Sequence, residues 1–65
     1  MEILTWQART NRNLTLKELA EKTGISKTTL NTIENGKTSP TLRQLEAIAI
    51  ALDTTISVLY DSKYK

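Results

Sequence analysis

Lys27, Thr28, Thr29, Asn31 and Thr32 crowd one short stretch of the chain, at spacings that place them on the outward side of a helix. Thr and Asn are poor helix formers, and a purely structural surface helix would favour Glu, Lys, Gln and Ala. Their short donors and acceptors, with the threonine methyls, suit base edges and thymine methyls in the major groove of a DNA duplex. The alternative is that Thr and Asn are neutral surface filler. Glu34, at the far end, is the only acid in that helix.

Other chemistry has little support. The chain has no Cys, which removes disulfides, thiolate nucleophiles and zinc fingers, and no His. Its seven carboxylates, Glu2, Glu18, Glu21, Glu34, Glu46, Asp53 and Asp61, are scattered. None sits beside a Gly-rich phosphate loop or in a calcium loop. A domain this small also struggles to enclose a substrate pocket of ~300 Å³ while keeping a core. The expectation is a protein that is not an enzyme, with no catalytic residue, cofactor or metal.

With 65 residues, 38% of them apolar and 25% charged, the chain is expected to be one compact domain over 1–65. No apolar run approaches the ~18 residues of a membrane span, and no leader is seen. A cytoplasmic protein with no room for a sensory domain is expected. The net charge is +2, but its distribution is uneven. Residues 1–44 carry seven basic and four acidic side chains, whereas residues 45–65 carry two and three. An electrostatic footprint for an anionic partner therefore belongs to the first two thirds.

The punctuation predicts five helices and no strands. The first covers about 2–12, with Asn13 suited to a left-handed stop. Thr15 and Glu18 form a capping box for a second, about 16–22. Gly24 makes a sharp turn, and Ser26 caps a third helix, about 27–35, that ends at Asn35-Gly36. Thr41 and Gln44 form another box for a fourth, about 41–52, with Leu42, Leu45, Ile48, Ala49 and Leu52 as its apolar stripe. Thr54 or Thr55 caps a last turn or two, about 56–60, and the tail 61–65 reads as frayed or partner-dependent.

Two short helices joined by a tight Gly-containing turn cannot pack antiparallel, so residues 15–36 must cross steeply, as in a helix-turn-helix. Ala20 is small at the crossing, Ile25 plugs the core below the turn, and Leu30 and Ile33 anchor the second helix. Taken alone, this geometry also fits an ordinary helical corner.

The run from Arg9 to Leu59 resembles the Cro/cI (XRE) family of helix-turn-helix DNA-binding proteins. The matching residues include Arg9, Leu14-Thr15, Glu18-Leu19-Ala20, Gly24-Ile25-Ser26, the segment from Leu30 to Gly36, Pro40-Thr41-Leu42, Leu45, Ile48-Ala49, Ala51-Leu52 and Leu59. The resemblance implies an all-α, five-helix, lambda-repressor-like domain. It further implies a sequence-specific transcriptional regulator, most simply a repressor, that binds a palindromic operator as a homodimer with the third helix in the major groove. A bacterial protein of this kind is nucleoid-associated when bound.

By the same resemblance, Lys27, Thr28, Asn31 and Thr32 read bases, with Ser26 and Thr29 at the edge of that set. Asn35 and Lys37 match phosphate-holding positions, and Lys17 and Arg43 are further candidates. Each exposed cation also reads simply as a solvated charge. Leu16 stands where relatives often place Gln or Ser on a phosphate, so Thr15 and the helix N–H groups must serve there. Arg9 and Glu34 correspond to a partly buried structural ion pair.

The first helix departs most from the family pattern. Thr5 replaces a larger aliphatic, and Ile3, Trp6 and Ile50 occupy positions that are often polar. The favoured reading has Trp6 folding over the first helix to fill space left by Thr5 and Ala8; the other has Trp6, Ile50 and Val58 in a self-association surface. A dimer interface is expected at Ile56, Val58, Leu59, Tyr60 and Tyr64. The rival function is an antitoxin or adaptor-type interaction module, with DNA binding secondary, for which Trp6 and Ile50 speak.

Overall fold

The helices begin where side-chain oxygens are available to receive their first free N–H groups. In the computed structural model, which describes all of residues 1–65, four α-helices and one 3-10 helix follow one another. They are α1 (Thr5–Thr10), α2 (Leu16–Thr23), α3 (Lys27–Glu34), α4 (Leu42–Ala51) and the 3-10 helix Ile56–Leu59. Both capping boxes form: Thr15 accepts from the Glu18 N–H at 3.1 Å while Glu18 accepts from the Thr15 N–H at 2.9 Å. Thr41 and Gln44 repeat the arrangement at the same distances. Ser26 caps α3 through the Thr29 N–H.

The stops are left-handed residues. Asn13 (φ 56°), Gly24 (φ 75°), Gly36 (φ 73°) and Asp53 (φ 53°) end the four α-helices. At Gly36 the Lys37 N–H reaches the Thr32 carbonyl, and the Gly36 N–H reaches that of Ile33, closing the last turn of α3. Space around Gly24 is open, so its glycine is required by backbone conformation alone.

Three expectations fail at the chain ends. The first helix starts at Thr5, because Glu2–Ile3 is a short strand, β1, paired antiparallel with β2 (Tyr60–Asp61) in the register Glu2–Asp61 and Ile3–Tyr60. A two-residue ladder has no periodicity to read, and its partner lies at the other end of the sequence. The tail is accordingly held: Asp61 is paired, and Lys65 Nζ donates to the Tyr60 carbonyl at 2.9 Å. The fifth helix is a single 3-10 turn, and the Leu4 N–H to Leu59 carbonyl bond, 2.8 Å, ties it to the start of α1.

The core joins all five helices through Ala8, Leu19, Leu30, Leu45, Ile48, Ala49, Leu52 and Leu59, with Ile25 packed against its edge. Burying each large aliphatic contributes ~1.5–3 kcal/mol before chain entropy is set against it. Leu59 is fully buried, which removes it from the expected dimer interface: its side chain fills the space between α1 and α4 that the 3-10 turn closes. Leu42 leaves the expected apolar stripe, being 75% exposed in the first turn of α4.

The first helix also differs in which side it buries. Thr5 and Ala8 are themselves buried, while Trp6 stays half exposed. The cost is an orphan: Thr5 Oγ1 is buried without a hydrogen-bond partner. Replacing it with the similarly shaped apolar side chain in Thr5→Val is expected to stabilise the fold by about 1 kcal/mol. That corresponds to a rise of ~4–8 °C in the thermal midpoint. A calorimetric midpoint at or below that of the parent would show that the hydroxyl is satisfied after all.

Candidate nucleic-acid interface

The packing of α2 against α3 is set by sequence-local devices. The Gly24 turn is too short for antiparallel packing, and Leu19, Leu30 and Ile33 are buried. With Leu30 and Ile33 inward, the helical period throws Lys27, Thr28 and Asn31 outward, and all three are exposed. Thr32 and Thr29 flank them and are half-buried. Ser26, at the helix entrance, donates to Thr29 Oγ1 at 2.8 Å and accepts from the Thr29 N–H at 3.1 Å. The outward side of α3 thus gathers one ammonium, one amide and three threonines, with no acid among them.

What aims α3 is an ion pair at its far end. Arg9 Nε lies 2.7 Å from Glu34 Oε2, and Nη2 lies 3.0 Å from Oε1, a two-pronged contact. The third nitrogen, Nη1, donates to the Leu14 carbonyl at 2.8 Å. One guanidinium therefore joins α1, the turn before α2 and the end of α3. The side chains are only 11% and 5% exposed. The hydrogen bond to Glu34 raises the Arg9 pKa above its ordinary value, outweighing burial, so the charge is never in question.

Sequence reasoning missed Arg12. It donates from Nε to the Leu52 carbonyl at 2.6 Å and from Nη1 to that of Ala8 at 3.1 Å, stitching the ends of α1 and α4. Nothing local signals this, because Leu52 lies forty residues away. Thr38 was also missed. It reaches back from the loop to Thr32.

The remaining candidate cations and caps lie at the ends of α2, α3 and α4. Asn35 and Lys37 are exposed just past α3, and Lys17 and Arg43 are exposed in the first turns of α2 and α4. At the α2 N-terminus, Leu16 packs against the core, and Glu18 already occupies the Thr15 N–H. That backbone bond and the Thr15 side chain hold the Glu18 carboxyl below its ordinary range. Its capping contribution is therefore complete above the unfolded-state carboxylate range and is lost as the pH falls through the lowered folded value. The donors left at this end are the Leu16 and Lys17 N–H groups, the Thr15 hydroxyl, which only accepts in the capping box, and the Lys17 ammonium.

A cavity of about 330 Å³ lies between β1 and the loop after α3, lined by Glu2, Glu34, Thr38 and neighbours. Both Glu34 oxygens are held by Arg9. No group of His, Cys, Asp or Glu side chains has the makings of a metal site. No helix is long and apolar enough to cross a membrane.

A family model described as helix-turn-helix, HTH_3, matches residues 7–59, from α1 to the end of the 3-10 helix. The chain belongs to this XRE-type helix-turn-helix family. The HTH-type transcriptional regulator SinR of Bacillus subtilis (strain 168) is 38% identical over 60 residues, covering 91% of this chain and 54% of SinR. SinR of Bacillus licheniformis is 38% identical over 58 residues, covering 88% and 52%. The chain thus spans about half the length of these relatives. Among solved structures, the N-terminal DNA binding domain of Bacillus subtilis SinR superposes with a TM-score of 0.81 at 34% identity, over 94% of this chain and 90% of that one. A chain from the SinR–SinI protein complex gives 0.82 at 34% identity, over 92% and 59%. Within this helix-turn-helix family the all-α architecture is as expected, with a 3-10 turn in the place of the fifth helix.

Removing one partner of the buried pair strands the other charge. Glu34→Ala is expected to cost about 3–5 kcal/mol, and Arg9→Met combined with Glu34→Leu less than that single change. Urea unfolding of both variants checks this. A cost for Glu34→Ala within the ~0–1 kcal/mol of a surface pair would contradict the placement.

Proposed function

We propose that this chain is a sequence-specific double-stranded DNA-binding module of a transcriptional regulator, acting as a repressor with α3 in the major groove. The observation that carries this reading is the acid-free outer side of α3, rich in short polar groups and aimed by the Arg9–Glu34 pair. Lys27, Thr28, Asn31 and Thr32 read bases, and Ser26 and Thr29 make edge contacts. Lys17, Asn35, Lys37 and Arg43 hold phosphates and so set register, with Thr15 contributing its hydroxyl. Such a module works in the cytoplasm, on nucleoid DNA, and performs no catalysis. The naming of SinR as a transcriptional regulator, and of its N-terminal domain as DNA binding, supports the same reading.

One copy covers one half-site. It presents one recognition helix, and two copies related by a two-fold axis read both halves of a palindromic operator ~34 Å apart. With Leu59 withdrawn into the core, and Ile56 and Tyr60 half-buried, the exposed candidates for the dimer contact are Val58 and Tyr64.

A second reading is favoured by Trp6 and Ile50, which are 52% and 75% exposed. Apolar side chains left in water suit a protein partner, as in an antitoxin or adaptor, and a SinR protein complex with SinI is among the solved relatives.

Selection of duplexes from a randomised library at about 150 mM salt separates the two readings. The expected product is a two-fold-symmetric site with half-sites one helical turn apart. Asn31→Ala should then relax preference at one position per half-site, by ~1–3 kcal/mol. Lys37→Ala should weaken binding to all sequences and lower the salt slope by about one. Unselective recovery of DNA, or none, would sink the DNA-reading assignment in favour of the protein-interaction module.

A further inference from the structure

The hydroxyls along α3 are not equally free. Thr32 Oγ1 lies 2.8 Å from the Thr29 carbonyl oxygen. A carbonyl only accepts, so the single hydroxyl hydrogen of Thr32 is committed to its own helix. Thr38 Oγ1 lies 3.3 Å from Thr32 Oγ1, and with the Thr32 hydrogen already used, Thr38 must be the donor. The result is a directed relay from the Thr38 hydroxyl to the Thr32 hydroxyl to the Thr29 carbonyl. It binds the loop after α3 to the helix, and each link polarises the next. Thr28 and Asn31 differ: both are exposed, and neither side chain takes part in a hydrogen bond within the chain.

On the DNA-reading assignment above, we propose that Thr32 recognises its base pair through its methyl group, by apolar contact with the C5 methyl of a thymine. Donating to a base acceptor would require breaking the bond to Thr29 and releasing Thr38. A base amino group could only use the one lone pair left beside two existing partners. The methyl needs no hydrogen bond broken to meet a base, and an apolar threonine contact with thymine is an established kind of major-groove readout. The face then divides its labour. Thr28, Asn31 and Lys27 supply hydrogen bonds, while Thr32 supplies a shape that prefers thymine.

The test uses the full chain and its library-selected site, with each thymine replaced in turn by deoxyuridine, which removes only the methyl. Wild type should lose about fourfold in affinity at one thymine per half-site, the effect of withdrawing one methyl from an apolar contact. Thr32→Val keeps a methyl and drops the hydroxyl, and should show the same loss at the same thymine. Thr32→Ser keeps the hydroxyl and drops the methyl, and should be indifferent there. Thr32→Ser retaining the sensitivity, or no thymine being sensitive, overturns the proposal, and the serine arm stands even if the valine variant folds poorly. Failure of the underlying reading looks different: no site is enriched, or Asn31→Ala binds the selected site like wild type, and the proposal falls with it.

Discussion

The Arg9 guanidinium is the point on which the orientation of α3 depends. An eight-residue helix is too short to hold itself together in water, so its existence and its direction both come from tertiary contacts. Leu30 and Ile33 fix its inner side, but apolar contacts are not directional and tolerate rotation. The two-pronged bond to Glu34 is directional, and the third bond to the Leu14 carbonyl prevents Arg9 from following if α3 shifts. Buried ion pairs are weak evidence for net stability, because desolvation offsets their attraction. Here its use is geometric, since it sets the angle at which the outer side of α3 is presented.

A second constraint holds the far side of the domain. The β1–β2 ladder and the Leu4–Leu59 backbone bond bring both chain ends together beside α1, and Leu59 closes the core from that side. Arg12 reinforces the same corner by joining α1 to the end of α4. Together with Arg9, these contacts make α1 a brace between the chain ends and α3. Arg9 in α1 and Arg12 in the turn just after it both find backbone carbonyl partners outside the helix. The buried, unpartnered Thr5 hydroxyl is a local imperfection in this brace.

Legibility from sequence followed the range of each interaction. Caps and stops are set within four residues, so Thr15, Ser26 and Thr41, with Gly24 and Gly36, are readable in advance and placed their helices to within a residue. The inward positions of α3 follow from its period, which also makes its outer side legible. Interactions between distant segments left no local trace. The strand at Glu2–Ile3 has no local signature, because its partner is at residues 60–61. The burial of Leu59 is not legible either, because a four-residue turn carries too little periodicity to show which side is buried. Arg12 and Thr38 escaped notice for the same reason, since their partners are carbonyls and hydroxyls that any residue type or several could supply. Trp6 and Leu42 are the reverse case: apolar type suggested burial, and the geometry of α1 and of the first turn of α4 leaves them in water.

Everything in the functional reading turns on the outer side of α3. The most direct test is an amide-resolved NMR titration of the full chain with a short mixed-sequence duplex at about 50 mM salt, where phosphate contacts are strongest. The expected result is that shifts concentrate at residues 26–32 and 35–37, with smaller changes at Lys17 and Arg43, while Trp6 and Ile50 stay still. A silent α3, with perturbation confined to Trp6 and Ile50 or absent altogether, would contradict it.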